Sequence, residues 1–347
     1  MNLLSDIRIK FQKNISKGRI LTFDELIEAN LAEDLDESEE FNELIKTWYD
    51  SFFEMSFLPK INSKMEEVFI HSACKMVIKD NASSYNYDSN INQSDLDIFF
   101  DLITLRKGID WNYNDPFVSF DFQVQEKKTR ISLIHHSTTS DGISKMFIRI
   151  TNKSCIPISL YAQNEMFFEQ LIKTKKNILI SGATGSGKTT FANSLLGLID
   201  SEEHVVLIED IEELIPPNST STKLITDSKS SKKSMNKYLE YALRMSPDRI
   251  ILGEIRSKEV ESSLLAMNTG HNGFLTTIHA NSAHDALQRM ALLFKIYSTH
   301  DLNYELILKL ITSNIDYVIH IEDKKIKEII DVFGSNQESI FFEALSI

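Results

Sequence analysis

The chain has 347 residues, 42% of them hydrophobic and 25% charged, with a formal net charge of -13. That length exceeds one ordinary core and fits two domains of roughly 150 residues each, and the composition excludes a disordered chain. The acidic balance argues against a nucleic-acid partner, which is usually met by a basic stripe, and against unaided binding to an anionic membrane.

The two cysteines, Cys74 and Cys155, have neither metal-ligand spacing nor a disulfide framework, which points to a reducing cytoplasm. Residues 1–11 alternate charged and apolar side chains and carry no visible signal peptide. No apolar run approaches the ~20 residues of a bilayer span, so any work at a membrane is expected to go through another protein.

Taken in chain order, residues 1–60 read as an acidic helical extension. Thr22 and Glu25 have capping-box spacing, and Phe41, Leu44, Ile45, Trp48 and Phe52 fall on one helical face, an ordinary packing stripe. Residues 61–150 read as a smaller α+β domain. Strands are predicted at 68–70 and 75–78, then a helix capped from Ser94 to Asp97 that carries Ile98, Leu102 and Leu105, then strands at 117–122, 130–134 and 146–150. No catalytic motif lies there.

From 151 to 347 the pattern becomes α/β. Apolar strands at 177–181, 204–208, 249–252 and 274–278 alternate with amphipathic helices, as in a parallel sheet with crossover helices. Phe191, Leu195 and Leu198 mark one helix. Met235, Leu239, Ala242 and Met245 mark another. Ala283, Leu287, Met290 and Phe294 mark a third, opened by a Ser282–Asp285 capping box. The Ser/Thr/Lys-rich stretch 218–234 reads as a mobile loop. The tail adds a helix (Leu306, Ile307, Leu310, Ile311) and strands at 317–321 and 326–332.

Residues 177–190 read NILISGATGSGKTT. Within them Gly182, Ala183, Thr184, Gly185, Ser186, Gly187, Lys188, Thr189 and Thr190 form a phosphate loop between a buried strand and a helix. The glycines let backbone N–H groups turn inward to phosphate oxygens, and the helix N-terminus adds its dipole. Lys188 offers a charge to the β- and γ-phosphates, and Thr189 a hydroxyl to Mg²⁺. A glycine turn with an exposed lysine is the plainer alternative, and the strand–loop–helix context leaves it little room. No Asn-Lys-x-Asp run reads guanine, so ATP is favoured.

Ligands of a parallel sheet lie at the carboxyl ends of its strands. The run HVVLIEDIEEL (204–214) leads into Glu209, Asp210, Glu212 and Glu213, and RIILGEIR (249–256) into Glu254. If these strands neighbour the phosphate loop, both ends supply acids for Mg²⁺, its waters and an attacking water. His279 closes an apolar strand at the same edge. His271, in a glycine-flanked turn, is equally consistent with a structural role.

These residues carry a resemblance. The ordered set GATGSGKTT, LIEDIEEL, ALRMSPDRIILGEIR and AMNTGHNGFLTTIHANS resembles the secretion and traffic ATPases of type IV secretion, conjugation, type II secretion and type IV pili. The likeness covers about 151–300 well, and 61–150 more faintly through EEVFIHSACKMVIKD. It implies a RecA-like motor domain with a smaller N-terminal domain, a ring of six, and a nucleotide held between the two domains. By motif position the catalytic glutamate falls on Glu213, with Glu209 and Asp210 beside it, the Walker B glutamate on Glu254 and the histidine box on His279. Arginines of the N-terminal domain that reach phosphate correspond to Arg130 and Arg149, with Arg256 a lesser candidate. Mg²⁺ with ATP is implied, held by Thr189 and, through water, by Asp210 and Glu254. Paired CxxC motifs are absent, so no zinc is expected, and the type IV secretion and conjugation branch looks nearest.

The departures are Ser246, where a basic residue is common, and Ile211, where Thr or Pro is usual. The family implies a homohexamer recruited by inner-membrane secretion-machine components, cytoplasmic and peripheral to the membrane, with no direct nucleic-acid binding. A tight-adherence, type IV pilus or type II secretion ATPase is the alternative within the family. A RecA-like nucleic-acid motor and a non-hydrolytic scaffold are the alternatives outside it.

Overall fold

The computed structural model describes residues 3–31, 39–80, 83–150, 155–227, 230–336 and 339–345. The chain divides into two compact units, Met1–Asn152 and Lys153–Ile347. The boundary expected at 151 falls within 151–154, outside the described residues.

The first unit begins with helices α1 (Leu3–Ile15), α2 (Phe23–Leu31) and α3 (Glu39–Glu54). At the start of α2, Thr22 N–H donates to Glu25 Oε2 (2.9 Å) and Glu25 N–H to Thr22 Oγ1 (3.3 Å), the reciprocal box its sequence predicts. Strands β1 (Met65–Ser72), β2 (Lys75–Asp80) and β3 (Ser84–Tyr87) follow, then α4 (Gln93–Arg106), β4 (Phe117–Val124), β5 (Lys127–Ile134) and β6 (Lys145–Ile150). The strands pair antiparallel in the order β3-β2-β1-β6-β5-β4.

One core holds this unit together. Ile7, Phe11, Ile45, Trp48 and Phe52 from the helices pack in the same cluster as Val68, Ile70, Leu96 and Phe99, so residues 1–60 share a core with the sheet. Arg8 pins α1 to α4 through Asp95 at 2.8 Å. Two sequence expectations are corrected here. Leu44 is 53% exposed, because Ile45, Trp48 and Phe52 define the buried stripe and residue 44 turns about 100° off it; the side chain of Phe41 lies outside the described residues. The cap of α4 is Asn92, whose side chain accepts from Asp95 N–H, while Ser94 is already inside the helix.

Asp101 on α4 has its pKa raised to about 6 by burial and by the like charge of Asp97 one turn away, partly offset by His136. The folded value lies above the ordinary ~3.9, so ionised Asp101 costs stability near pH 7 and that cost vanishes as pH falls through 6 toward 4. Asp101→Asn is expected to stabilise the unit by about 1–2 kcal/mol at pH 7.5, after allowance for screening, and to make no gain at pH 4. Urea unfolding of both full-length chains at the two pH values checks this.

The second unit contains α5 (Glu165–Lys173), β7 (Ile178–Ser181), α6 (Lys188–Leu196), β8 (Val205–Glu209), β9 (Thr222–Ile225), α7 (Met235–Ala242) and β10 (Arg249–Leu252). It continues with α8 (Glu259–Asn268), β11 (Leu275–Ile278), α9 (Ala283–Tyr297), α10 (Tyr304–Thr312), β12 (Tyr317–Glu322), β13 (Lys325–Ser335) and β14 (Ile340–Ala344). They build an eight-stranded sheet in the order β14-β13-β12-β7-β11-β10-β8-β9. The strands β12 to β9 in that order run parallel, and β13 and β14 antiparallel. Every residue of β7, β8, β10 and β11 is buried, which is why these strands read as unbroken apolar runs.

The stretch 218–234, read as a mobile loop, contains β9, where Thr222 to Ile225 pair in register with Val206 to Glu209; residues 228 and 229 lie outside the described ones. Half-buried β-branched Thr222 found an open sheet edge, a tertiary opportunity that local composition does not show. The predicted start at Ser282 forms as an N-cap, with Asp285 N–H donating to Ser282 Oγ at 3.0 Å.

Candidate phosphate site

The fully buried strand β7 delivers the chain to Gly182, and α6 begins at Lys188. Three glycines between them take positive φ: Gly182 (153°), Gly185 (75°) and Gly187 (100°). At Gly182 the need is steric as well, since a Cβ there would lie 2.3 Å from the carbonyl oxygen of Ile321 and 2.5 Å from Ser186 Oγ. The neighbouring strand β12 braces the loop. His320 Nδ1 is 2.9 Å from Ser181 Oγ, and Lys324 N–H donates to Ser186 O at 3.0 Å. Ala183, Thr184 and Gly185 form the exposed crest, and Thr189 and Thr190 are half-buried in the first turn of α6.

Lys188 is 8% exposed and folded into its own loop. Its Nζ donates to Gly182 O and Ala183 O, both at 2.9 Å, and sits 3.2 Å from His279 Nδ1. His279 Nε2 lies 3.0 Å from Glu254 Oε1. Glu254 Oε2 holds Arg256 (2.7 Å to Nη2, 2.8 Å to Nε), and Arg256 Nη1 reaches Asp210 Oδ2 at 2.7 Å. A continuous charged chain therefore crosses the carboxyl ends of β7, β11, β10 and β8. Burial, against the pull of Glu254, depresses the pKa of His279. A neutral ring accepting from Lys188 at Nδ1 fits that direction.

The order of strands differs from the simplest sequence expectation. Neither acidic strand adjoins β7: β10 is two places away and β8 three. The acidic segment returns toward the loop by another route. Asn193 on α6 donates to Glu213 O (3.2 Å) and accepts from Ile215 N–H (2.8 Å). Glu209 Oε1 accepts from Glu213 N–H (2.9 Å) and Leu214 N–H (2.6 Å), and Lys223 Nζ lies 2.8 Å from its other oxygen. Glu209 is 2% exposed, and burial raises its pKa despite Lys223. Its carboxylate is thus occupied in shaping the segment that carries Glu213. His271 precedes β11, at the amino ends of the strands and away from this edge, beside Thr269 (3.3 Å).

Among the buried side-chain atoms without a hydrogen-bond partner in the described residues are Ser186 Oγ inside the loop and Glu254 Oε1, which lies 3.0 Å from His279 Nε2. Unsatisfied buried oxygens mark places for a missing ion, water or ligand. With the glycine cradle they are places that a phosphate and a hydrated cation would fill, though no cluster of three or more His, Cys, Asp or Glu suited to a metal occurs among the described residues. A cleft of about 400 Å³ opens beside Asp210 and Glu254, lined also by Asp227, Asn236, Arg256 and Lys258 and by no residue of the phosphate loop.

In the first unit, Arg130 and Arg149 stand directly opposite each other on β5 and β6. They are the centre of a cross-strand row, Lys79–Glu67–Arg149–Arg130–Asp121, that spans five strands. Its ends are ion-paired, Lys79 with Glu67 at 3.2 Å and Arg130 with Asp121 at 3.9 Å. A spacing of many residues hid this pairing in the sequence.

A parallel core strand feeding a phosphate loop, with a histidine at the end of the adjoining strand and acids at the ends of two further ones, defines a RecA-like phosphate-loop protein that also carries a smaller α+β unit. The pilus retraction motor PilT, solved with bound ADP, shares this fold with a TM-score of 0.57 at 18% identity, over 87% of this chain and 82% of that one. The family described as Type II/IV secretion system protein matches residues 119–324, more than half of the sequence, and the chain belongs to that family. Its relatives include the type IV secretion system protein VirB11 of Bartonella henselae, 36% identical over 196 residues (52% of this chain, 55% of that protein). The conjugal transfer protein TrbB of Rhizobium radiobacter is 33% identical over 201 residues (54% of this chain, 60% of that protein). The chain thus spans a little over half the length of these relatives, which lie in the type IV secretion and conjugation branch, as the motif set implies. Among the described residues no helix is long and apolar enough to cross a membrane.

Proposed function

We propose that this protein is a Mg²⁺-dependent ATPase that powers assembly of, or transfer through, a bacterial type IV secretion or conjugation machine. The observation that carries the reading is the charged chain from Lys188 through His279 and Glu254 to Asp210 beside the glycine cradle. Lys188 leaves its loop carbonyls for phosphate oxygens, since a charge-assisted bond to an anion is stronger than one to a neutral carbonyl. Mg²⁺ supplies neutralising charge to the phosphoryl oxygens when bound. Glu213 orients the attacking water and takes its proton. Glu209 positions the Glu213 segment through backbone amides, a supporting role beside the catalytic one expected for it. His279 stands between the phosphate lysine and Glu254, where it responds to charge at the γ-phosphate. Arg130 and Arg149 are assigned to phosphate contact by the family resemblance, and their standing opposite each other on β5 and β6 is consistent with a shared anion.

From the motif resemblance, the protein is read as a ring of six, recruited to the cytoplasmic face of an inner membrane by other components of the machine. A steady-state phosphate-release assay tests the reading. Turnover should require Mg²⁺ and fall about 10²-fold in Glu213→Gln. Undiminished turnover in that variant would sink the site assignment.

A further inference from the structure

Arg256 lies at the centre of the charged chain yet is not aimed as a phosphate ligand. Its Nε and Nη2 are both spent on Glu254 Oε2 and its Nη1 on Asp210 Oδ2. Its main chain is fixed as well. Arg256 N–H and Ser257 N–H both donate to Glu259 Oε1, and Ser257 Oγ lies 3.1 Å from Glu259 Oε2. Glu259 is 6% exposed in the first turn of α8. A buried carboxylate therefore sets where the arginine starts, and two strand-end carboxylates set where it finishes.

These contacts have a chemical consequence. Glu254 and Asp210 are the acids assigned to hydrated Mg²⁺, and they follow the adjacent strands β10 and β8. Two carboxylates at one site repel and drift apart or take up a proton unless a cation lies between them. A planar guanidinium can hold both at once, which an ammonium cannot do with the same geometry. With Oε2 held by Arg256, the other oxygen of Glu254 stays unpartnered and turned toward His279.

We propose that Arg256 is a positioning residue that clamps Glu254 and Asp210 into one metal-competent pair and carries the state of the phosphate loop, through His279, to the acidic segment after β8. The inference rests on the ATPase reading above. It predicts a split between binding and turnover. In full-length protein, Arg256→Gln should lower kcat about 10–100-fold, while the affinity for a fluorescent ATP analogue in EDTA stays within about twofold. The Mg²⁺ concentration that half-saturates analogue binding should rise several-fold. Arg256→Lys should recover less than half of the lost turnover. Asp210→Asn combined with Arg256→Gln should lose clearly less than the product of the two single losses, because the two residues are coupled. The side chain is 53% exposed, so the fold is expected to tolerate the change, and a melting curve verifies it. A tenfold loss of analogue affinity in EDTA would make Arg256 a phosphate ligand and overturn the proposal. Unchanged kcat and Mg²⁺ dependence, full recovery with lysine, or additive losses in the double variant would also overturn it. Absence of turnover in the wild-type chain would instead remove the ATPase reading, and the Mg²⁺ dependence of analogue binding would still decide the role of Arg256.

Discussion

Lys188→Ala is expected to lower ATP turnover by about 10³-fold and to weaken nucleotide binding by about tenfold or more. The effect is large because Lys188 is connected to everything else at the site. Its Nζ satisfies the carbonyls of Gly182 and Ala183 and approaches the ring of His279. Alanine removes the charge that would meet the phosphates and takes the lysine donor from the buried Gly182 carbonyl, at roughly 1–3 kcal/mol, while Ala183 O keeps Ser186 N–H. It also removes the neighbour that lies against His279, so the link from the loop to Glu254 is cut. Phosphate release and titration with a fluorescent ATP analogue measure the two losses separately. Wild-type affinity in the variant would mean that the loop glycines and helix dipole bind phosphate without the lysine.

The largest effect on stability is expected at the other end of the same sheet. Arg249 opens β10 and is 1% exposed, the bulkiest of the fully buried side chains. It pairs in a fork with Glu203, at 2.8 and 2.9 Å, and donates to Ile172 O at 2.6 Å. Gly273 (φ 81°) makes room for it, because a Cβ there would lie 2.6 Å from Nη1. Arg249→Met removes these three bonds, leaving Glu203 with Lys175 at 3.4 Å and Ile172 O with Lys175 N–H at 3.0 Å, and the loss of charge-assisted bonds is expected to cost about 2–3 kcal/mol. Arg249→Lys should rescue little of this, because an ammonium cannot make the fork. Denaturant unfolding followed by a signal from the second unit reads the loss, while active-site titration of the remaining folded protein should be normal.

Some of this was legible in the sequence and some was not, for physical reasons. The phosphate loop is local: a buried strand, glycines that need positive φ and a helix start are contiguous in the chain. The acids at 209–213 and at 254 were visible as apolar strands running into charge, and the capping box at Thr22 and the N-cap at Ser282 as three-residue spacings. Strand order is not a local property. Nothing in the letters separates β8 beside β7 from β8 three places away, so the return of the Glu213 segment through Asn193 could not be seen. Glu209 reads like its acidic neighbours, and only the fold shows that backbone amides and Lys223 occupy it. Arg249 reads as the polar start of a strand, and its one available signal was a charge directly before an unbroken apolar run. Leu44 and the cap of α4 were each missed by a residue or two, where a helical face has an edge and helix starts are least defined.

The row across the first unit's sheet has a further consequence. Like charges directly opposite on neighbouring strands repel, so Arg130 against Arg149 is a locally frustrated pair in an otherwise alternating ladder. An anion seated over the pair relieves that repulsion, and whatever binds the folded unit raises its stability. Occupancy and rigidity of this unit are thereby linked, most strongly in dilute salt, where the Debye length is long. Under the phosphate role proposed for Arg130 and Arg149, the sheet would tighten when the anion binds and loosen when it leaves.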